Sequence, residues 1–230
     1  MNIFFATMPR SGSEFVIKLT RLLLNVNYQS LISLTPGRML NRENEKSKIF
    51  QEKISEGKEI DYIKENSFKY IKVESPSADI LSYDLSAAFP SSKWITSFRS
   101  IDEIIISHYN LKTWGWTERR ILNAYVCDLV FYEFLDRQKR LFAVNINEPE
   151  MFNLDKMIDF LESPVNIRDQ AINFINNWYV VNPLDRQQKK ASEEVLGEKD
   201  IPPNLSSLRD RHPWLLNIEF RYRQLWKNFI

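Results

Sequence analysis

Four short runs dense in β-branched and aromatic residues stand out along the chain, at positions 2–7, 68–73, 93–98 and 141–146. Between them, apolar positions recur at helical spacing. Residues 14–25 carry a stripe at Phe15, Leu19, Leu22 and Leu23; residues 78–89 and 102–109 are amphipathic, and 118–140 read as one long helix. Strands separated by helical crossovers predict a mainly parallel sheet covered on both faces, a three-layer α/β/α arrangement. In such sheets ligands bind beyond the carboxyl ends of the strands, which here means the loops after Thr7, Val73 and Phe98. Residues 36–66, polar and rich in lysine and glutamate, read as a mobile helical insertion. From position 165 onward only helical patterns follow, at 168–181, 186–196 and 213–229, with Pro202-Pro203 separating the last two. The pattern describes a single domain over 1–230 with a helical C-terminal extension at 165–230.

Composition narrows the chemistry. With 230 residues, 43% of them apolar, the chain can bury a full core. A formal net charge of +1 creates no global field for nucleic acid or a membrane surface, so any anion site has to be local. The one cysteine, Cys127, excludes an internal disulfide framework, and with two histidines a dedicated Cys/His zinc site is not expected. No basic leader precedes a long apolar stretch and no apolar run approaches 18 residues, so the expectation is a cytoplasmic protein without a membrane span.

Against that neutral background one segment carries chemistry. The apolar run Ile3-Phe4-Phe5-Ala6-Thr7 ends in Met8-Pro9-Arg10-Ser11-Gly12-Ser13, and a helical pattern starts at once with Glu14 and Phe15. A strand feeding a short Gly/Ser turn and a helix start forms an anion site, because free backbone N–H groups and the positive end of the helix dipole converge there. Arg10 adds a cationic fork, and Ser11 and Ser13 add hydroxyls. The nucleotide-hydrolase loop is a different pattern, since it needs four residues between its glycines and then Gly-Lys-Ser/Thr. Taken alone, the turn also reads as an ordinary strand-to-helix connection.

Further pieces follow in order. Lys72-Val73-Glu74-Ser75-Pro76 closes the second predicted strand, Phe98-Arg99 closes the third, and Ser107 comes eight residues after Arg99 on the next helix. With these residues the chain resembles, over about residues 1–162, the sulfotransferases that use 3′-phosphoadenosine 5′-phosphosulfate (PAPS). Their phosphosulfate loop reads Pro-Lys/Arg-Ser-Gly-Thr/Ser-Thr after the first strand. Their 3′-phosphate motif is a strand-end Arg followed eight residues later by Ser, usually within Arg-x-Pro-x-Asp-x-x-x-Ser-x-Tyr. Here Arg99, Asp102 or Glu103, Ser107 and Tyr109 are kept and the Pro is lost; residues 147–162 also resemble the family's acidic turn and following helix.

The resemblance implies a P-loop-like sulfotransferase fold, PAPS as sulfuryl donor with PAP as product, and no metal. It implies binding of the donor by Arg10, Ser11, Gly12, Ser13, Glu14, Arg99 and Ser107. It implies catalysis by Glu74 as general base, in the slot that the family fills with His or Glu, together with Arg10 and Lys72. Lys72 either supports the transferring group or holds Glu74. The acceptor would be a small molecule or a carbohydrate presenting a hydroxyl or an amine, with no nucleic-acid partner; oligomeric state is left open. Glu14 departs from the pattern, standing where a second hydroxyl residue is usual. It either turns outward, pairs with Arg10 or Lys18, or is itself the base. Arg99 has the alternative of a surface ion pair with Asp102 or Glu103, and Glu74 of a strand-end pair with Lys72. Arg221, Arg223 and Lys227 near Trp226 either replace the family's C-terminal basic loop or form a solvated helix face. Trp114-Gly115-Trp116 lines an acceptor pocket or merely packs, His108 reads as structural, and His212 has no nameable partner. Two other functions remain in play: a P-loop-like small-molecule kinase, and a catalytically degenerate PAP-binding protein.

Overall fold

In a computed structural model of the chain, residues 1–8, 11–26, 31–33, 49, 52–53, 55–74, 81–110, 117–146, 153–163, 167–181 and 204–227 are described, with backbone alone at 31–33, 74, 81, 110 and 179–181. In chain order the elements are β1 (Ile3–Thr7), α1 (Ser13–Leu24), β2 (Leu31–Ser33), α2 (Glu59–Glu65), β3 (Tyr70–Glu74), α3 (Leu81–Ala88), β4 (Lys93–Phe98), α4 (Ile101–Asn110), α5 (Glu118–Arg137), β5 (Leu141–Asn145), α6 (Leu154–Leu161), α7 (Arg168–Val181), α8 (Leu208–Arg211) and α9 (Leu215–Lys227).

The five strands form one sheet in the order β2-β3-β1-β4-β5, and each neighbouring pair is parallel. Every residue of β1 is buried, because it lies at the centre with a helix layer on either side. Alternation along the strand divides its side chains between two cores. Phe4 and Ala6 join Ile71, Val73, Trp94 and apolar residues of α4, α5 and α9. Ile3 and Phe5 face the other way, toward Phe15, Leu19 and Leu23 of α1, Met157 and Leu161 of α6, and Ala171 of α7. In the first core Phe4 stacks on Trp94, with ring centroids 4.4 Å apart and planes 13° from parallel. At the amino edge of the sheet Arg140 ties three segments together, donating to the Ser86 carbonyl (3.2 Å), the Phe89 carbonyl (2.8 Å) and the Ser92 carbonyl (3.1 Å).

The mixed α/β architecture and the parallel sheet are as the pattern predicts. The sheet has one strand more than expected, because β2 is only three residues long and too short to show a period of two. The long helix ends at Arg137, and Lys139 then turns the chain at φ 57° into β5. Within the predicted insertion at 36–66, residues 59–65 form α2. The helix predicted at 186–196 lies outside the described residues.

The topology fixes where a ligand-binding crevice opens. After β1 the chain leaves toward β2 on one flank of the sheet, whereas after β4 it leaves toward β5 on the other. Adjacent strands whose connections depart in opposite directions leave a crevice between their carboxyl ends. In this sheet β1 and β4 are adjacent.

Candidate functional site

The turn after β1 is built around Ser11, which is 1% exposed. Its backbone N–H donates to the Met8 carbonyl (3.1 Å), and its Oγ donates to the same oxygen (2.7 Å). The Ser11 Oγ also lies 3.1 Å from the Oγ of Ser97, a buried residue of β4. A hydroxyl has one proton to give, and that of Ser11 goes to Met8, so Ser97 is the donor between the two serines. Ser11 therefore joins the β1 turn to the end of β4 and, in this arrangement, gives its own proton to the protein.

Gly12 follows in the left-handed region at φ 93°, and a Cβ placed there would lie 2.3 Å from Cδ1 of Ile146, just beyond β5. The carboxyl ends of β1, β4 and β5 thus meet at this turn. Helix α1 begins at Ser13, and the Phe15 amide donates to the Gly12 carbonyl (3.0 Å). The amides ahead of it have no carbonyl within the helix to reach, and they point out of the helix start. Glu14 makes the pair with Lys18, at 2.6 Å, and its side chain is 47% exposed. Of the alternatives open for this carboxylate the structure has the pair with Lys18. Behind the turn, the Tyr132 hydroxyl donates to the Ala6 carbonyl at 3.0 Å and braces the strand just before it turns; burial pushes this phenol far above its usual range.

Arg99 stands one residue beyond β4, two after Ser97. Its side chain is only 8% exposed, and Nε lies 3.2 Å from Oε2 of Glu103. The ion pair considered for Arg99 is thus made with Glu103, between a buried guanidinium and a carboxylate that is 36% exposed. Ser100 and Glu103 form a capping arrangement at the start of α4. The Glu103 amide donates to the Ser100 Oγ (3.4 Å), and that hydroxyl donates to the Glu103 carboxylate (3.2 Å). Ser107, 3% exposed, lies four residues beyond Glu103, one turn further along the same helix. Asp102 pairs with Arg209 of α8, at 2.7 Å.

Glu74 ends β3, and its Cα lies beside Thr7, the last residue of β1. Lys72 pairs with Phe5 and is 4% exposed. It sits two residues back from the strand end, roughly 7 Å from Glu74 along the strand. Arg10 and the segment Trp114-Gly115-Trp116 lie outside the described residues.

Among the basic residues of α9, Arg221 is bonded to Glu133 of α5, with Nε 2.8 Å from Oε1. Arg223 and Lys227 are exposed. His212 has a partner after all. It meets Glu118 at 3.3 Å, beside the Arg211 guanidinium, which donates to the same carboxylate at 2.6 and 3.0 Å. These hydrogen bonds, Arg211's first, hold Glu118 below the ordinary carboxylate range against the opposing effect of burial. Sequence reasoning missed Ser97, Ile146 and Arg209, none of which carries a local signal; each is defined by a neighbour distant in the chain.

Among the described residues no group of three or more His, Cys, Asp or Glu side chains is arranged to hold a metal ion, and no helix is long and apolar enough to cross a membrane. No protein-family model matches the chain, and no curated protein matches it.

Proposed function

We propose that the protein is a PAPS-dependent sulfotransferase of the P-loop-like sulfotransferase fold, acting on a hydroxyl or amine of a small molecule or carbohydrate. The observation that carries the reading is the buried Ser11–Ser97 contact in the crevice between β1 and β4. It joins the turn ahead of α1 to β4, whose last residue precedes Arg99, so the helix-start amides and the Arg99 guanidinium border one crevice. A donor with phosphate groups at both ends of a nucleoside needs two such positions.

The residues present suit that donor. The left-handed Gly12 lets the turn pack closely on Ile146 at the end of β5, and Lys18 offsets the Glu14 charge that would repel an anion there. The amides of residues 12–14 would hold the 5′-phosphosulfate end, with Arg10 adding charge. Arg99 and Ser107 would hold the 3′-phosphate, an arginine fork beside a buried hydroxyl. When bound, PAPS supplies an activated sulfuryl group whose transfer leaves PAP. The first-turn amides would meet the negative charge that grows on the departing phosphate, and donors set in place beforehand need no reorganisation as it forms. Glu74 takes the proton of the attacking hydroxyl or amine at its carboxylate, a role open to a carboxylate within hydrogen-bond reach of the acceptor.

The test is a metal-free calorimetric titration of PAP against adenosine 5′-phosphosulfate, which lacks the 3′-phosphate, in wild type and Arg99→Ala. The substitution should weaken PAP by roughly 2–5 kcal/mol, the loss expected when one partner of a buried charge pair is removed, and leave the 5′-phosphosulfate unchanged. Equal loss for both ligands would remove Arg99 from the 3′-phosphate. Binding of ATP with Mg²⁺ in preference to PAP would favour the kinase. PAP binding without sulfate transfer to any offered acceptor would favour a binding protein.

A further inference from the structure

The start of α4 carries two adjacent carboxylates, Asp102 and Glu103, beside the arginine assigned to the 3′-phosphate. Each has its own guanidinium. Glu103 is met by Arg99 from the end of β4, and Asp102 by Arg209 from α8, more than a hundred residues further along the chain. Arg209 grips Asp102 with both terminal nitrogens, Nη1 to Oδ1 at 3.2 Å and Nη2 to Oδ2 at 2.7 Å. The same guanidinium reaches Glu219 of α9 through Nε at 3.3 Å and Nη2 at 2.6 Å. A planar fork can serve two carboxylates in this way; a lysine ammonium offers a single point charge.

We infer that Arg209 is a positioning residue of the 3′-phosphate half of the site, an inference that rests on the PAPS reading above. Its action is indirect. Asp102 lies three residues from Arg99, close enough to compete for the Arg99 guanidinium or to repel an incoming phosphate. By holding Asp102 against α8 and neutralising it, Arg209 takes that carboxylate out of competition for Arg99. Through Glu219 it also ties the C-terminal helices to the ligand edge of the sheet, so that the helical extension contributes to the site without touching the ligand.

Titrations of PAP and adenosine 5′-phosphosulfate at fixed ionic strength test this in Arg209→Gln, Asp102→Asn and the double variant. Arg209→Gln should weaken PAP about tenfold or more, because it leaves a bare carboxylate near a bound anion, and leave the 5′-phosphosulfate unchanged. The double variant should regain most of the PAP affinity, since neutral Asn no longer competes. Two results would overturn the inference: unchanged PAP affinity in Arg209→Gln, or equal weakening of both ligands with no recovery in the double variant, the mark of a purely structural residue. Should Arg209→Gln fail to fold, Asp102→Asn alone decides. It should bind PAP at least as tightly as wild type, and weaker binding would overturn the inference. Wild-type protein that binds no PAP would instead defeat the sulfotransferase reading itself, and this inference with it.

Discussion

Replacing Gly12 by alanine perturbs the turn after β1 at one atom, and the size of the effect follows from two separate terms. The first is torsional. At φ 93° an L-residue has its Cβ crowded against the backbone, which costs about 1–2 kcal/mol. The second is steric. The new Cβ would stand 2.3 Å from Cδ1 of Ile146, with Cγ2 at 3.1 Å and Cγ1 at 3.3 Å. Because Cδ1 is the end of its side chain, rotation about χ2 relieves the worst overlap, and holding that chain off its rotamer costs about 0.5–1.5 kcal/mol. Together the terms predict a loss of about 1.5–3.5 kcal/mol, read as a melting temperature lower by roughly 3–14 °C for a domain of this size. Urea unfolding followed by far-ultraviolet circular dichroism gives the free energy directly. Ile146→Val separates the terms, since valine lacks Cδ1. Measured against Ile146→Val as its own reference, Gly12→Ala should cost about 0.5–1.5 kcal/mol less than in wild type, leaving mainly the torsional part. A cost below about 0.5 kcal/mol in wild type, or no relief from Ile146→Val, would refute the argument that the turn requires glycine here.

Two further outcomes are expected. Glu74→Gln keeps size and hydrogen-bonding capacity but cannot accept a proton, so steady-state turnover should fall about 10²–10⁴-fold while calorimetric PAP affinity stays constant; turnover within about threefold of wild type would remove Glu74 as the base. Glu118, held below its ordinary value of 4.5 first by the Arg211 hydrogen bonds, contributes stability that is fully present above the unfolded value and is lost as pH falls through the lower folded one. The gap in urea midpoint between wild type and Glu118→Gln should therefore be constant around pH 5–6 and shrink as the pH falls below about 4; a gap unchanged down to about pH 2 would show that it does not come from the Glu118 charge.

What the sequence determined by itself is whatever is written over a few neighbouring residues. The β-branched and aromatic residues of 93–98 specify β4 to the residue. The stripe Phe15, Leu19, Leu23 specifies the buried face of α1, and Gly12 ahead of that stripe marks the turn between strand and helix. These signals are local because backbone sterics and helical spacing are local. From the strand-helix alternation a parallel sheet follows, and from a parallel sheet the edge that bears the site. The same alternation does not say which strand lies at the centre or that β1 and β4 are neighbours, because strand order is decided by which faces bury against which helices. Nor could spacing pair Ser11 with Ser97, Gly12 with Ile146, or Asp102 with Arg209. The charges along α4 admitted either carboxylate as a partner of Arg99, and they were resolved only when α8 arrived from the far end of the chain with a second arginine. Glu14 shows the complementary case: an i,i+4 lysine was available in the sequence, yet the turn after β1 offered Arg10 as well. Local periodicity decided the elements and the edge, and tertiary packing decided the partners, since a side chain's partner is set by the distances left once the cores on both faces of the sheet have closed.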